Sequence, residues 1–290
     1  MLSRFKRAGK ELLGLPQWPR VETPSPSEFE DQIYAAMVQP GDLFFDIGAN
    51  VGNVSRLAAR FAGEAGKVFA FEPVWPTYLE LCRQVQLDTW WKAPIVTLNF
   101  GLSDAEQRQT IHVPRGEFGL ASLAQANAQQ MTDGANIVGY DCSFVTFDGF
   151  LATAHLPAPN VIKIDVEGAE LLVLRGCRDT LGAGHRPLML MEIFAPWEEG
   201  FGYTPWEPLS LLARHGYRFL FACPAGLVEH EPTAAEPFPP AFEDGYNVIA
   251  YDPVRHASRL SRLNSLRPGG QVLPMPRAPQ KNRIRPRPGQ

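Results

Sequence analysis

An acidic residue and two glycines stand at the end of a short apolar run, where they could hold a charged cofactor. Asp46 lies in the run Leu43–Ile47, and Gly48, Asn50 and Gly52 follow at alternate positions. Glycines tolerate unusual dihedral angles and let a ligand approach the backbone. A carboxylate here would repel a pyrophosphate, but it would attract the sulfonium and ammonium groups of S-adenosylmethionine (SAM). A strand, turn and helix without any ligand is the alternative.

Polar side chains also follow the next two predicted strands. Glu72 ends the second apolar run, 20 residues beyond Gly52, where an acidic residue can accept hydrogen bonds from ribose hydroxyls. A third predicted strand, 95–102, leads into Ser103 and Asp104. Asp104 could face the amino group of an adenine, or it could be a turn residue, and the sequence leaves both readings open. We assign these residues to cofactor binding together with the glycine turn.

A second acidic stretch follows a buried central strand. Asp165 closes that strand, at the edge where doubly wound sheets place ligand-facing groups, and we assign it to cofactor binding as well. Lys163 lies on the same strand face, and because a buried lysine is costly unless it is paired, we predict an ion pair with a nearby carboxylate. A helix is predicted to begin near Glu167, where the helix dipole would favour Glu167 and Glu170. Glu192 lies near the end of a later strand.

Strands alternate with helices along the chain. This order predicts a doubly wound α/β fold with a mostly parallel, seven-stranded sheet. The last two predicted strands, 217–222 and 246–251, have no helix between them, so we expect one antiparallel strand near the edge. A long loop at 114–142 and an irregular excursion at 224–245 are expected to overhang the site and form an acceptor pocket. Four aromatic residues could stack on a sugar or pack beneath the loops: Trp197, Phe201, Tyr203 and Trp206.

Charge divides the chain into three regions. Residues 253–290 carry nine Lys/Arg and no Asp/Glu, and residues 1–20 carry five Lys/Arg and one Glu, so the net charge of −4 leaves −17 for residues 21–252. An acidic core argues against nucleic acid binding. We predict an N-terminal helical extension at 1–39, one domain at 40–252 and a disordered basic tail beyond it.

Cysteine usage and hydropathy indicate the compartment. The four cysteines are widely spaced and form no Cys-x-x-Cys pair, which is typical of a reducing environment. No apolar run approaches the roughly 18 residues that a membrane span needs. These features predict a cytoplasmic protein, and the sequence does not indicate its oligomeric state.

These motifs resemble those of the FkbM family of SAM-dependent methyltransferases. The resemblance covers roughly residues 40–252, and the block Lys-Ile-Asp-Val-Glu-Gly-Ala-Glu at 163–170 is its most specific part. The other matching segments are 45–52, 71–73, 100–104, 146–148, Glu192 and 247–250. The resemblance implies a class I, Rossmann-like methyltransferase fold, SAM as the cofactor, and transfer of a methyl group to a hydroxyl oxygen of a small molecule or glycan.

An alcohol acceptor must be aligned with the methyl group and benefits from a nearby base. We predict Asp165 as the base or acceptor-orienting group, with Glu192 second. Either burial raises the pKa of such a carboxylate, or a Mg²⁺ ion shared by the two lowers the pKa of the acceptor. The alternatives are a non-catalytic SAM-binding protein, a nucleic acid methyltransferase, and an NAD-dependent oxidoreductase, which the missing Gly-x-Gly-x-x-Gly spacing disfavours.

Overall fold

The computed structural model describes residues 28–87, 93–114, 121–130, 136–223, 225–240 and 247–268. The strands are β1 Leu43–Ile47, β2 Lys67–Phe71, β3 Ile95–Leu98, β4 Gly101–Ser103, β5 Gln107–Pro114, β6 Ile137–Thr146, β7 Val161–Ile164, β8 Leu188–Glu192, β9 Arg218–Cys223, β10 Gly226–Glu229 and β11 Asn247–Tyr251. The helices are α1 Glu28–Met37, α2 Asn53–Ala62, α3 Trp75–Leu87, α4 Gln125–Gln130, α5 Phe147–Ala154, α6 Glu170–Arg175, α7 Arg178–Gly182, α8 Ala195–Glu199, α9 Trp206–Arg214 and α10 Ala257–Leu263, followed by a 3₁₀ turn at Asn264–Leu266.

The main sheet has the order β10-β9-β11-β8-β7-β1-β2-β3. The central pairs are parallel, and β11 runs antiparallel to both β8 and β9. The doubly wound α/β fold of class I SAM-dependent methyltransferases is therefore confirmed, including the reversed strand near the edge. The described sheet has eight strands rather than the predicted seven, because β10 forms a hairpin with β9 inside the stretch that we expected to be irregular.

A second, three-stranded sheet with the order β4-β6-β5 lies beside the main one. We predicted a continuous strand over 95–102, but the chain breaks between β3 and β4, where the Asn99 amide donates to the carbonyl oxygens of Glu72 and Pro73. The prediction of a loop at 114–142 was wrong for Pro114, which ends β5, for 125–130, which form α4, and for 137–142, which belong to β6. Its segments 115–120 and 131–135 lie outside the described residues.

The C-terminal helix α10 packs on the domain against α1, so the prediction of a disordered tail from residue 253 was wrong for 253–268. Leu263 and Leu266 are buried. Arg259 makes a buried bidentate pair with Asp42, at 2.6 Å and 2.8 Å. The helix predicted in the N-terminal extension is present as α1, whereas residues 1–27 and 269–290 lie outside the described part of the chain.

Alternate residues of the central strands point to opposite sides of the sheet. Phe45 faces an aromatic cluster with Phe69, Phe71 and Phe147. Asp46 points to the other face, where it stands in register with Lys163 on β7. This register brings a carboxylate and an ammonium together beneath the turn that follows β1.

Candidate active site

The turn after β1 is shaped by close contact within the protein. Gly48, Asn50 and Gly52 have φ angles of 80°, 49° and 86°, in the left-handed region. A Cβ atom on Gly48 would lie 1.8 Å from the carbonyl oxygen of Asp165, and one on Gly52 would lie 2.5 Å from Leu81 Cδ1. We expected these glycines to admit a ligand, but packing of the turn against β7 and α3 already requires them.

The turn is tied to the end of β2. The amide groups of Gly48 and Ala49 both donate to the carbonyl oxygen of Phe71. Glu72 accepts from the amide of Asn50 at 3.0 Å and from the amide of Val74 at 2.9 Å. Burial raises the pKa of Glu72 to about 7, although these two hydrogen bonds act in the opposite direction. Glu72 is thereby fixed at the edge of the cleft.

Lys163 joins the ends of β1 and β7. Its Nζ atom lies 2.8 Å from Asp165 Oδ2 and 3.6 Å from Asp46 Oδ1, and it donates to the Gly48 carbonyl oxygen at 3.0 Å. The predicted ion pair of Lys163 is confirmed. Burial alone would lower the pKa of Lys163, but the charges of Asp165 and Asp46 outweigh it and raise that pKa, so the side chain stays charged.

Asp46 lies below the cleft rather than in it. Its side chain has no exposed surface and accepts a hydrogen bond from Ser55 Oγ at 2.5 Å. A carboxylate in this position cannot contact a ligand directly unless the turn moves. The expected direct contact of Asp46 with a cofactor is therefore not what the structure offers, and Asp46 instead supports Lys163.

Asp165 and Glu192 form a carboxyl pair at the ends of β7 and β8. The Asp165 side chain is 28% exposed and borders the cleft. Burial would raise the pKa of Asp165, but the charge of Lys163 and a hydrogen bond from Glu192 together lower it. Burial, followed by the charge of Asp165, raises the pKa of Glu192 to about 9. Burial therefore raises the pKa overall for Glu192 but not for Asp165.

Glu167 lies in a turn, although we predicted that a helix begins near it. It has a φ angle of 54° and belongs to a turn, because α6 begins at Glu170 and not at Glu167. Glu170 is buried and closes this turn by accepting from the Val166 amide at 3.0 Å. Burial and then the charge of Asp165 raise the pKa of Glu167 to about 10. Gly168, next to Glu167, was the available signal for a turn.

These elements enclose a cleft of about 720 Å³, a volume that includes its open mouth. Three carboxyl groups line one side of it, from Glu72, Asp165 and Glu167. The described lining contains no Lys, Arg or His. The other side is apolar and includes residues of the second sheet and its neighbours that we did not predict: Val74, Leu102, Ile111, Leu123 and Phe144.

Two predicted cofactor residues lie away from this cleft. Leu102 on β4 lines the cleft, so the strand directs the next residue, Ser103, to the other side, where it is buried. Asp104 is exposed and accepts a hydrogen bond from Ser103 Oγ at 3.3 Å. Neither side chain is among those that line the cleft, and Asp104 lies in the bend that follows β4.

The described part of the long loop does reach the acidic side of the cleft. Ala121 and Leu123 line the cleft, and Ser122 Oγ donates to the Glu167 carbonyl oxygen at 3.0 Å. Asn127 on α4 donates to the Trp197 carbonyl oxygen at 2.8 Å. In contrast, the described residues of the 224–245 excursion are not among those that line the cleft.

The predicted aromatic stacking face is not found at this cleft. Tyr203 is buried and donates to the Gly168 carbonyl oxygen, so it supports the turn. Trp197 packs edge-on against Phe194, with ring centroids 5.0 Å apart. Within the described lining of the cleft, none of the four predicted aromatic residues is present.

A family model described as the methyltransferase FkbM domain matches residues 46–219. The chain belongs to the FkbM methyltransferase family. The matched segment begins at Asp46 and includes the glycine turn, Lys163, Asp165 and Glu192, so the FkbM match contains the whole acidic side of the cleft.

Two curated proteins are similar to this FkbM chain. Hexuronic acid methyltransferase AglP of Haloferax volcanii is 28% identical over 177 residues, which are 59% of this chain and 62% of AglP. AMB antimetabolite synthetase AmbE of Pseudomonas aeruginosa is 29% identical over 223 residues, which are 65% of this chain and 10% of AmbE. The chain thus spans less than two thirds of each of these relatives.

Solved structures of methyltransferases are similar to this chain at low identity. Precorrin-6y C5,15-methyltransferase from Geobacter metallireducens is 12% identical, with 81% of this chain and 94% of that one covered and a TM-score of 0.43. A SAM-dependent O-methyltransferase from Thermotoga maritima is 13% identical, with 83% and 69% covered and a TM-score of 0.39. Likeness at this level says nothing about the substrate of the FkbM domain.

Two further properties follow from the described residues of the FkbM domain. They contain no group of three or more His, Cys, Asp or Glu side chains arranged to hold a metal ion. Among the described helices, none combines the length and apolar character that a bilayer crossing requires.

Proposed function

We propose that this methyltransferase transfers the methyl group of SAM to a hydroxyl oxygen of a small molecule or glycan. The observation that carries the proposal is the concentration of carboxyl groups, backed by Lys163, where β1, β2, β7 and β8 end. When bound, SAM supplies a methyl group attached to a positively charged sulfur. A nearby positive charge favours the ionised form of these carboxyl groups, which would then attract such a ligand.

The residues of the cleft fit this cofactor. Its described lining carries three carboxyl groups and no cationic side chain, and Glu167 Oε2 is buried without a hydrogen-bond partner. A buried acceptor of this kind is costly unless a ligand or proton satisfies it. In this proposal Glu72 accepts hydrogen bonds from the ribose, the backbone of the Gly48–Asn50 turn lies against the cofactor, and Asp165 is near its charged part.

Asp165 is the group that we propose to orient the acceptor. It is the partly exposed carboxylate of the pair, and Lys163 and Glu192 keep it ionised, so it can accept a hydrogen bond from a hydroxyl. Because the pKa of Asp165 is lowered, it is a weak base before the reaction. It would take the hydroxyl proton only as the oxygen gains the methyl group and its own acidity rises. Glu192 holds the proton that keeps the pair together.

A sugar acceptor is supported by one relative, since AglP is named as a hexuronic acid methyltransferase. Sugar hydroxyls also suit carboxylates as hydrogen-bond partners. We also propose that the protein is cytoplasmic, as its composition indicates, and that nucleic acid is not its acceptor.

Methyl-labelled SAM incubated with neutral and uronic oligosaccharides tests the proposal. We expect label on a hydroxyl oxygen, located by mass spectrometry, and a loss of at least tenfold in rate for Asp165→Asn. Asp104→Asn, which changes an exposed carboxylate outside the cleft, is the matched control and should retain its rate. Label on nitrogen or carbon would contradict O-methylation. SAM binding without turnover of any acceptor would favour the non-catalytic SAM-binding alternative.

A further inference from the structure

A basic pocket lies at the end of the main sheet opposite the cleft. It is bordered by the residues just before β7 and β8 and by the chain around the start of α10, and it encloses about 770 Å³ with its mouth. Its polar lining consists of Asn160, His185, Arg186, Arg255, His256 and Arg259. None of its described lining residues is acidic, although residues 21–252 carry a net charge of −17.

Two of the arginines are held in place by aspartates behind the pocket. Arg259 is committed to its bidentate pair with Asp42. Arg186 Nη1 donates to Asp252 Oδ2 at 2.8 Å, but its Nε–H group is buried and has no acceptor among the described residues. Arg186 thus keeps donor capacity beyond its pair with Asp252, because a guanidinium group carries five N–H donors.

Arg255 supplies charge that the described residues do not balance. Its side chain is exposed, and no carboxylate within the described ranges lies within 4 Å of its guanidinium. Asp252 Oδ1 accepts from the amides of Val254 and Arg255, so that carboxylate is occupied by the backbone. Asp252 and Asp42 therefore balance Arg186 and Arg259, whereas no aspartate balances Arg255, so the pocket keeps a positive charge.

His256 completes the wall as a neutral group. Its Nδ1 atom accepts from the Asp252 amide at 2.9 Å, so its Nε2–H donates to the Arg186 carbonyl oxygen at 2.9 Å. Burial lowers the pKa of His256 to about 4. The ring therefore fixes the backbone of Arg186 and contributes no charge near neutral pH.

We propose that this pocket binds a small oxyanion of the phosphate class between Arg186 and Arg255. Guanidinium groups present paired N–H donors that match the oxygen atoms of phosphate. The Arg186 side chain lines the pocket and is 32% exposed, so a phosphate oxygen can accept from its guanidinium group, while Arg255 closes over the anion from the solvent side. The oxyanion could be free phosphate or the phosphate group of a metabolite, because both offer the same oxygen atoms.

Equilibrium dialysis of the full chain with labelled inorganic phosphate at low salt tests this site. We expect saturable binding of one phosphate per chain, weakened at least tenfold in Arg255→Ala. Arg214→Ala removes one exposed arginine from α9, outside the pocket, and should change binding less than twofold. SAM binding should be unchanged in both variants, so this result is independent of the proposed function.

Two comparisons distinguish free phosphate from a phosphorylated metabolite, and a specific site from general charge attraction. Competition by glycerol phosphate at lower concentration than inorganic phosphate would support a phosphorylated metabolite, whereas equal competition would support free phosphate. An equal loss of phosphate binding in Arg255→Ala and Arg214→Ala would overturn the proposal, because it would indicate general charge attraction. A short single-stranded RNA that binds equally well to both variants and displaces phosphate would overturn it in favour of a diffuse polyanion surface. Failure of the wild-type chain to bind phosphate would also overturn it.

Discussion

The α-carbon of Gly48 lies so near the carbonyl oxygen of Asp165 that an added Cβ would stand 1.8 Å from it. The ends of β1 and β7 are therefore locked together by backbone contact, and Lys163 adds a hydrogen bond to the Gly48 carbonyl oxygen at 3.0 Å. The shape of the cleft depends on this approach.

Gly48→Ala should separate the two strand ends. Gly41→Ala is a matched control, because Gly41 has a similar φ angle of 89° but nothing within 4 Å of an added Cβ. We expect Gly41→Ala to lower the free energy of unfolding by about 1 kcal/mol, from left-handed strain alone. Gly48→Ala should lower it by about 2–4 kcal/mol, because overpacking is added. Urea unfolding measures both, and equal losses would show that the contact is unimportant.

Lys163→Met should leave Asp46 and Asp165 without their cation. Removing one partner of a buried ion pair costs about 3–5 kcal/mol, and the double variant Lys163→Met/Asp46→Asn should recover part of that loss because one carboxylate is neutralised. Lys67→Met, at the exposed start of β2, controls for the loss of a lysine. A double variant no more stable than Lys163→Met, measured by urea unfolding, would contradict the coupling of Asp46 to Lys163.

Glu198→Gln should stabilise the protein at alkaline pH. Glu198 is fully buried, and neither of its carboxyl oxygens has a hydrogen-bond partner among the described residues. Burial, followed by the charge of Glu170, raises its pKa from 4.5 to about 9. The unfolded chain ionises this group near pH 4.5 while the folded chain keeps the proton, so stability falls as the pH rises from about 4.5 through about 9.

The free energy of unfolding of Glu198→Gln, measured relative to the wild-type chain, should therefore be roughly 1–3 kcal/mol more favourable at pH 8 than at pH 4.5. Thermal unfolding of the variant and the wild-type chain across this range gives the difference. Glu199→Gln changes the exposed neighbouring residue and should leave the pH dependence as it is. A pH-independent effect of Glu198→Gln would disprove the assignment.

SAM binding should release protons from the cleft. Glu192 and Glu167 have pKa values raised to about 9 and about 10, so both are protonated at pH 8, and a nearby positive charge lowers the pKa of a carboxyl group. Calorimetric titration in HEPES and in Tris should give different binding enthalpies, because the two buffers take up the released protons with different heats.

The number of protons released should depend on the charge of the ligand and on the presence of Glu192. S-adenosylhomocysteine, whose sulfur is neutral, should release fewer protons than SAM, and Glu192→Gln should reduce the release that SAM causes. Binding enthalpies that do not depend on the buffer would count against a charged contact between the cofactor and these carboxyl groups.

Mg²⁺ should not bind at Asp165 and Glu192. We expected that the two carboxylates could share this ion, but Lys163 Nζ lies 2.8 Å from Asp165 Oδ2, and its positive charge would repel a second cation there. Calorimetric titration with millimolar MgCl₂ should therefore give no saturable heat, and methyl transfer should survive EDTA. Loss of activity with EDTA and its return with Mg²⁺ would restore the metal hypothesis.

The sequence predicted those features that depend on the order of elements and on charge balance. Strand–helix alternation was enough for the doubly wound sheet, and the missing helix between β9 and β11 was enough for the reversed strand. The pairing of Lys163 was also predictable, because an unpaired ammonium cannot stay buried in a central strand. These inferences need only local patterns and general energetics.

Other features depend on packing that no local pattern records. Asp46 and Asp165 both follow apolar strand residues, yet one is sealed under α2 and the other borders the cleft, because β7 places its carboxylate two positions beyond the residue that pairs with Asp46. The break at Asn99 depends on carbonyl groups that come from β2. Helix α10 was missed because its arginines read as a solvated tail, whereas Arg259 finds its partner, Asp42, 217 residues earlier in the chain.

The contact between α1 and α10 brings distant parts of the chain together at one place on the domain. Arg259 donates to the carbonyl oxygen of Met37, and Arg262 donates to that of Ala35. A folded unit clasped in this manner can be spliced into a larger polypeptide as an insert, or circularly permuted, with little disturbance to its sheet. The same catalytic domain could then occur within different larger proteins in the course of evolution.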